Sequence, residues 1–383
     1  MSEFTTRKIT DRAGTGAPSF TYGLNSGGSD SGLIGKAYTA SGTEPSSPAN
    51  GDTWYDSTND KFYLYVNGEF KQITHANAVT KIDSGSRATI HGGYWSSTSA
   101  NSNVIQYYEI GTLGNATDFG DLVAQRQAHT GSSDGTTGFA IGGTHTSRYY
   151  AIDRWTIATT GNATDHGDLT QRPNEPAANC NGTNMVVMCG TDNSSTVTNV
   201  MERFTTATAS NATDHGDMTV SRRLLGGGMS NGTNGVFAGG YTGSVVSNVI
   251  DQTVLATAGN STDFGDMTSG GYTCHGTSNH TRGVFQKTNS SGTGDNVLEY
   301  ITIATAGNSA DFGDLTDQLS GCGACANLED RGVWNGGNDP FTSPYQVNVI
   351  QYITISTTGN ATDFGDLLAT VSGGPAASSG AAS

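Results

Sequence analysis

The chain has 383 residues, 54 of them glycine, with 34% hydrophobic residues and a formal charge of −16. Glycine and the abundant Ser, Thr and Asn disfavour long helices, and the acidity disfavours binding along nucleic-acid backbones, which needs clustered Lys and Arg. No apolar run approaches a membrane span, and the opening MSEFTTRKITDRAG lacks the apolar core of a secretory signal.

In chain order, residues 1–36 are polar and glycine-rich with no periodic apolar pattern, so they are expected to be an extended segment that orders only against a partner. Residues 37–75 contain GDTWYDSTNDKFYLYVNGEFKQI, which predicts a small β-meander. Thr53-Trp54-Tyr55 and Lys61 to Val66 are β-rich runs parted by turn formers, and Asn67-Gly68 is a type I′ hairpin dipeptide before Phe70 to Ile73. A module this small is expected to associate with copies of itself. Residues 76–86 read as a linker.

From residue 87 the chain repeats. GNATDFGDL at Gly114 returns as GNATDHGDL at Gly161, SNATDHGDM at Ser210, GNSTDFGDM at Gly259, GNSADFGDL at Gly307 and GNATDFGDL at Gly359. A period of about fifty residues signifies a stacked or radial repeat in which no unit buries its apolar face alone. Each unit holds an apolar strand closed by a double glycine, as in Gly235 to Gly240. A polar loop, a second strand such as Asn248 to Leu255, and the TDFGD turn and strand follow. A fourth strand is predicted from Thr219 onward to Met229 and its equivalents. Four short strands per unit is the content of a propeller blade. Residues 87–371 are thus predicted to be a six-bladed β-propeller in an all-β protein, with 372–383 a flexible tail. Leu367 to Val371 is expected to close the ring on the first blade, in competition with Ala78 to Ile82.

The residues that could carry chemistry are few. The TDFGD carboxylates, such as Asp118 and Asp121, suggest calcium, but calcium takes six to eight oxygens, and the preferred reading is that Asn and Asp cap tight turns and satisfy backbone NH groups. His166 and His215 stand where other copies have Phe and are read as packed aromatics. The five cysteines include Cys322-Gly-Ala-Cys325, but a structural zinc site wants four ligands and there is no second pair. No GxSxG, HExxH or P-loop pattern occurs. No catalytic residue, metal or cofactor is therefore expected. The loops after the double glycines vary between units and carry Tyr94, Trp95, His145, Tyr149, Tyr241, Phe341 and Tyr345. They are the candidate binding surface, with rings suited to stacking on sugars.

Two resemblances add to this reading. The repeats resemble the kelch family of β-propellers: Gly239-Gly240 match its double glycine, Asn248-Val249-Ile250 its second strand, Phe264 its aromatic anchor, and Arg126, Arg172 and Arg222 the Arg that leads into the next blade. The usual Trp anchor is absent, and the double glycine is lost at Gln286-Lys287. Pro45 to Asp56 followed by Lys61 to Gly68 is similar to a module of tailed (cyanophage-like) bacteriophage virion proteins, and Asp11 to Pro18 looks like the opening of fibre subunits that dock on a virion. The resemblance implies a non-enzymatic tail fibre or similar appendage, assembled in the host cytoplasm. It would join other virion proteins through residues 1–75, form homo-oligomers (trimers by analogy with fibres), and bind a host surface glycan or receptor, or a neighbouring virion subunit. A glycan-degrading enzyme on the same scaffold and a non-viral kelch-type interaction protein are the alternatives.

Overall fold

The computed structural model describes residues 38–380 except 51, 57, 59–60, 67, 73–85, 225, 289–293, 327–329, 342–344 and 373–375. All regular structure among them is β-strand. The chain divides into two units after Ala78. The segment 1–36 and, except for Ser86, the linker 76–86 lie outside the described residues.

In the first unit β2 (Thr53–Asp56), β3 (Lys61–Val66) and β4 (Glu69–Gln72) form the expected antiparallel meander. A strand not foreseen, β1 (Tyr38–Ser41), adds to it in parallel, with Tyr38 opposite Thr53. Trp54 organises this sheet. Its ring stacks on Tyr63 at 4.8 Å and meets Phe70 edge-on at 5.4 Å, while its Nε1 donates to the Ser41 carbonyl at 3.1 Å. The indole is thereby buried and its one donor satisfied, as a buried Trp requires. Gly68 takes φ +91°, the conformation for which the hairpin glycine is suited.

The second unit is a series of small antiparallel sheets. Sheet 2 runs Thr130–Ser133, Thr137–Ile141, Ala151–Thr156, Thr164–Asp168. Sheet 3 runs Ala177–Cys180, Asn184–Met188, Val200–Thr205, Thr213–Asp217. Sheet 4 runs Gly226–Ser230, Asn234–Ala238, Val249–Val254, Thr262–Asp266. Sheet 5 runs Thr273–Ser278, Arg282–Lys287, Asp295–Thr302, Ala310–Leu319. Sheet 6 runs Gly323–Ala326, Arg331–Asn335, Val347–Thr354, Thr362–Ser372, and then takes the short strands Tyr94–Trp95 and Ala100–Asn101. Sheet 1 is assembled from both ends of the unit: Ala376–Gly380, Arg87–His91, Val104–Glu109, Thr117–Asp121.

Three expectations are corrected here. The double-glycine strand is second in each sheet. The predicted fourth strand at 219–229 is the first strand of the following sheet, and it is confined to Gly226–Ser230. First strands of successive sheets lie against one another, which explains their small residues: an added Cβ on Gly228 would sit 2.5 Å from the Gly276 carbonyl oxygen. The segment 372–383, expected as a loose tail, supplies Ala376–Gly380, which pairs antiparallel with Arg87–His91. Its Ala and Ser content reads as a polar tail in isolation, yet it matches the small residues of the other first strands. Leu367 to Val371 does not join sheet 1. It extends the last strand of sheet 6, where Val371 pairs with Trp95. Ala78 to Ile82 lies outside the described residues.

In each of the six sheets of the second unit the third and fourth strands slip register opposite the phrase, for instance between Ile105 and Gln106 or Ile250 and Asp251, and sheets 5 and 6 slip a second time, at Asp295/Val297 and Val347/Val349. Ile105 faces Gly120 and Gln106 faces Asp118, so Phe119 is the extra residue of a β-bulge. The bulge turns the aromatic of each phrase inward, and Phe119, His166, His215, Phe264, Phe312 and Phe364 are all buried. Six apolar clusters make the core, and each is shared by two successive sheets. The first and sixth sheets share one of them, through Ile90, Tyr108, Val333 and Phe364 among others.

Candidate functional site

The repeated phrase joins neighbouring sheets. The amide of its second Asp donates to the Asn side chain of the next copy: Asp121 to Asn162, Asp168 to Asn211, Asp217 to Asn260, Asp266 to Asn308, Asp314 to Asn360 and Asp366 back to Asn115, all at 3.0–3.1 Å. Backbone bonds accompany them, such as Ala163 N to Asp121 O and Ala116 N to Asp366 O, each 2.8 Å. The glycine of the phrase permits this approach. At Gly265, φ is +148° and an added Cβ would lie 2.5 Å from the Gly307 carbonyl oxygen. The Asn residues do satisfy backbone amides, but those of the adjoining sheet. Among the described residues no group of three or more His, Cys, Asp or Glu side chains is arranged to hold a metal ion.

A second repeated position escaped the sequence reading. The third strand carries Gln106, Asp153, Glu202, Asp251, Glu299 and Gln351 at one place, and all six are buried. Each caps the backbone that leaves the preceding sheet. Where a buried Arg follows the phrase the residue is Asp: Asp153 pairs with Arg126 at 2.7 Å and Asp251 with Arg222 at 2.6 Å. Where it is absent, a longer side chain reaches the turn itself. Glu202 accepts from Thr170 N at 2.7 Å and Gln171 N at 3.0 Å, and Gln106 accepts from Leu368 N at 2.8 Å. Glu299 and Gln351 do the same at Thr268 and Thr316. The carboxyls of Asp153 and Asp251 titrate above the usual range because burial outweighs their Arg partners, and burial lowers Arg222 to about 10. Arg172 does not match Arg126 and Arg222. It is exposed, and Pro173 lies against the double glycine at Gly142 instead.

His166 and His215 pack as aromatics. His166 lies edge-on to Phe139 at 5.3 Å, with its Nε2 3.1 Å from the Thr205 carbonyl oxygen, and His215 Nε2 is 3.0 Å from Thr253 Oγ1. Burial lowers the pKa of both. His91 and His129, neither singled out in the sequence, also meet inside the protein, Nδ1 to Nε2 at 3.0 Å.

The loop candidates are dispersed. Tyr94 and Trp95 are half-buried strand residues, with Trp95 packed on the core between sheets 1 and 6 and its Nε1 3.3 Å from the Gly92 carbonyl oxygen. Tyr149 is half-buried over the Arg126 guanidinium, and Tyr241 lies half-buried between Tyr272 and Arg223. His145 is exposed, its Nδ1 3.3 Å from Asn101 Nδ2. Phe341 and Tyr345 stand out at 73% and 57% exposed.

One depression of about 530 Å³ lies where sheets 2 and 3 adjoin, lined by Tyr150, Asp168, Leu169, Thr170, Arg172, Asn193 and Asn211. None of these was a candidate. The signal was nevertheless present: Tyr150 occupies the place held by Asn103, Asn199, Asn248, Asn296 and Asn348 in the other units. No protein-family model matches the chain, and no curated protein sequence matches it.

Proposed function

We propose that residues 87–380 form a six-bladed, kelch-like β-propeller borne on a structural protein of a tailed-bacteriophage virion, a tail fibre or similar appendage. The propeller binds a host surface glycan or a neighbouring virion subunit without catalysis, and residues 1–75 dock it on the particle. The observation that supports the ring is the cycle of phrase-to-Asn hydrogen bonds, which passes through six copies and returns from Asp366 to Asn115. A closed ring leaves its sheets no free lateral contact, so partners meet the loops. The buried acids Asp153, Glu202, Asp251 and Glu299 are engaged in holding turns, which favours a binding role over a hydrolytic one.

The phage assignment rests on the resemblance of residues 11–18, 45–56 and 61–68. Its test is incorporation: the chain lacking residues 1–75 should fold but fail to join particles. Normal incorporation of that truncated chain would remove the docking role. Loss of host adsorption on replacing Phe341 and Tyr345 by Ala would favour recognition through the most exposed loop.

A further inference from the structure

We infer that the depression between sheets 2 and 3 is a binding subsite for a neutral hexopyranose unit, with Tyr150, Arg172 and Asp168 as its contacts; this rests on the glycan-binding reading above. Tyr150 is the strongest indication. Its carbonyl oxygen accepts from Leu169 N at 2.8 Å, the bond that Asn103, Asn199 and Asn248 make to Leu122, Met218 and Met267. The backbone role is therefore common to these units, and only the second places a ring there. In unit 3 the Asn side chain bonds the Met218 carbonyl, a contact that Tyr150 forgoes. The frame does not require this tyrosine.

Arg172 departs from the frame as well. Its guanidinium lies 5.2 Å from the Tyr150 ring centre and makes no hydrogen bond or ion pair with a described residue, whereas Arg126 and Arg222 each bond an Asp carboxylate and a backbone carbonyl. The ring stays 41% exposed. Arg172 is set in place from below, its backbone N donating to Asn193 Oδ1 at 2.9 Å while Asn193 Nδ2 bonds the Thr170 carbonyl at 3.3 Å. The depression thus offers a guanidinium that only donates, a carboxylate that only accepts, and an aromatic surface. Hydroxyls, which do both, satisfy the charged pair together, and the C–H face of a pyranose suits the negative face of a ring. A uronic acid would meet Asp168 and an amino sugar Arg172, so the net-neutral lining selects a neutral sugar.

The full chain should be applied to immobilised oligomers of glucose, mannose and galactose, with oligogalacturonate and glucosamine oligomers as charged counterparts. Tyr150→Asn restores the residue of the other units and should leave melting unchanged. Tyr150→Asn and Arg172→Gln should each weaken retention on at least one neutral oligomer by about tenfold or more, while Leu113→Ala, at an exposed apolar residue outside the depression, leaves it intact. Neutral-sugar binding that survives Tyr150→Asn, or binding confined to charged oligomers, would overturn the subsite while the glycan reading stands. Binding abolished only by Phe341→Ala or Tyr345→Ala would move the site to that loop. No retention on any oligomer would remove the subsite and the glycan reading together.

Discussion

At the scale of single residues, the arginines beside the phrase divide into those the fold requires and those it does not. Arg222 and Asp251 have no exposed side-chain surface, so removing one strands the other in the core. Arg222→Met is expected to cost about 3–5 kcal/mol in urea unfolding. Arg172→Gln, at an exposed position, should change stability by less than about 0.5 kcal/mol. The two histidines make a pH prediction. Burial holds His166 and His215 below their ordinary pKa, so the unfolded chain binds protons more readily. Their contribution to stability is present above the unfolded value of about 6.5 and is lost as pH falls through the folded values. The double variant His166→Phe/His215→Phe, which copies the other four units, should lose less melting temperature between pH 7 and pH 5 than the parent. Identical pH dependence would refute the assignment. Asp153 and Asp251 act oppositely: with pKa values raised by burial, they favour the folded state as pH falls, so they do not add to acid sensitivity.

At the scale of elements, the phrase TDFGD is at once a strand, a bulge and a joint. Gly265→Ala places a side chain in a left-handed region and against the Gly307 carbonyl, and a cost of about 1–3 kcal/mol or more is expected. Asn260→Ala leaves the Asp217 amide without its acceptor and should cost about 1 kcal/mol. Both are measurable by chemical denaturation. The phrase, its period and the second and third strands were legible because their pattern is local: alternating apolar residues, a double glycine, turn formers. The first strands were legible only in part, as the strand predicted up to Met229 and assigned to the preceding sheet. TGSS, AANC and GACA carry no apolar period, since they are small for reasons of crowding against the next sheet.

At the scale of the whole molecule, the end of the chain completes sheet 1. Ala376–Gly380 covers the edge of Arg87–His91 and lies beside the first strands of sheets 2 and 6. Deleting residues 373–383 should therefore expose an unpaired strand edge, lower the melting midpoint and promote association visible by light scattering. Unchanged melting and a monodisperse sample would show that this strand does not close the sheet. The candidate surface follows the same division. Phe341 and Tyr345 were legible as exposed aromatics, but Trp95 proved to be packed, because its loop folds onto the last strand of sheet 6.

By itself, the sequence determined that the protein is all-β, that its second part is built from six copies of one unit, and where the small Trp54 sheet lies. Those conclusions depend on periodicity and turn chemistry, which short stretches of chain carry unaided. Only the tertiary structure decided which unit each polar side chain serves. An Asn that caps its own turn and one that caps a turn about fifty residues away have the same local sequence. The same holds for Arg126 in its ion pair and Arg172 on its tyrosine, and for a run of Ala and Ser that is a tail alone and a first strand in company. Hydrogen bonds and packing across units depend on which backbone arrives opposite, and that is settled only when the sheets meet.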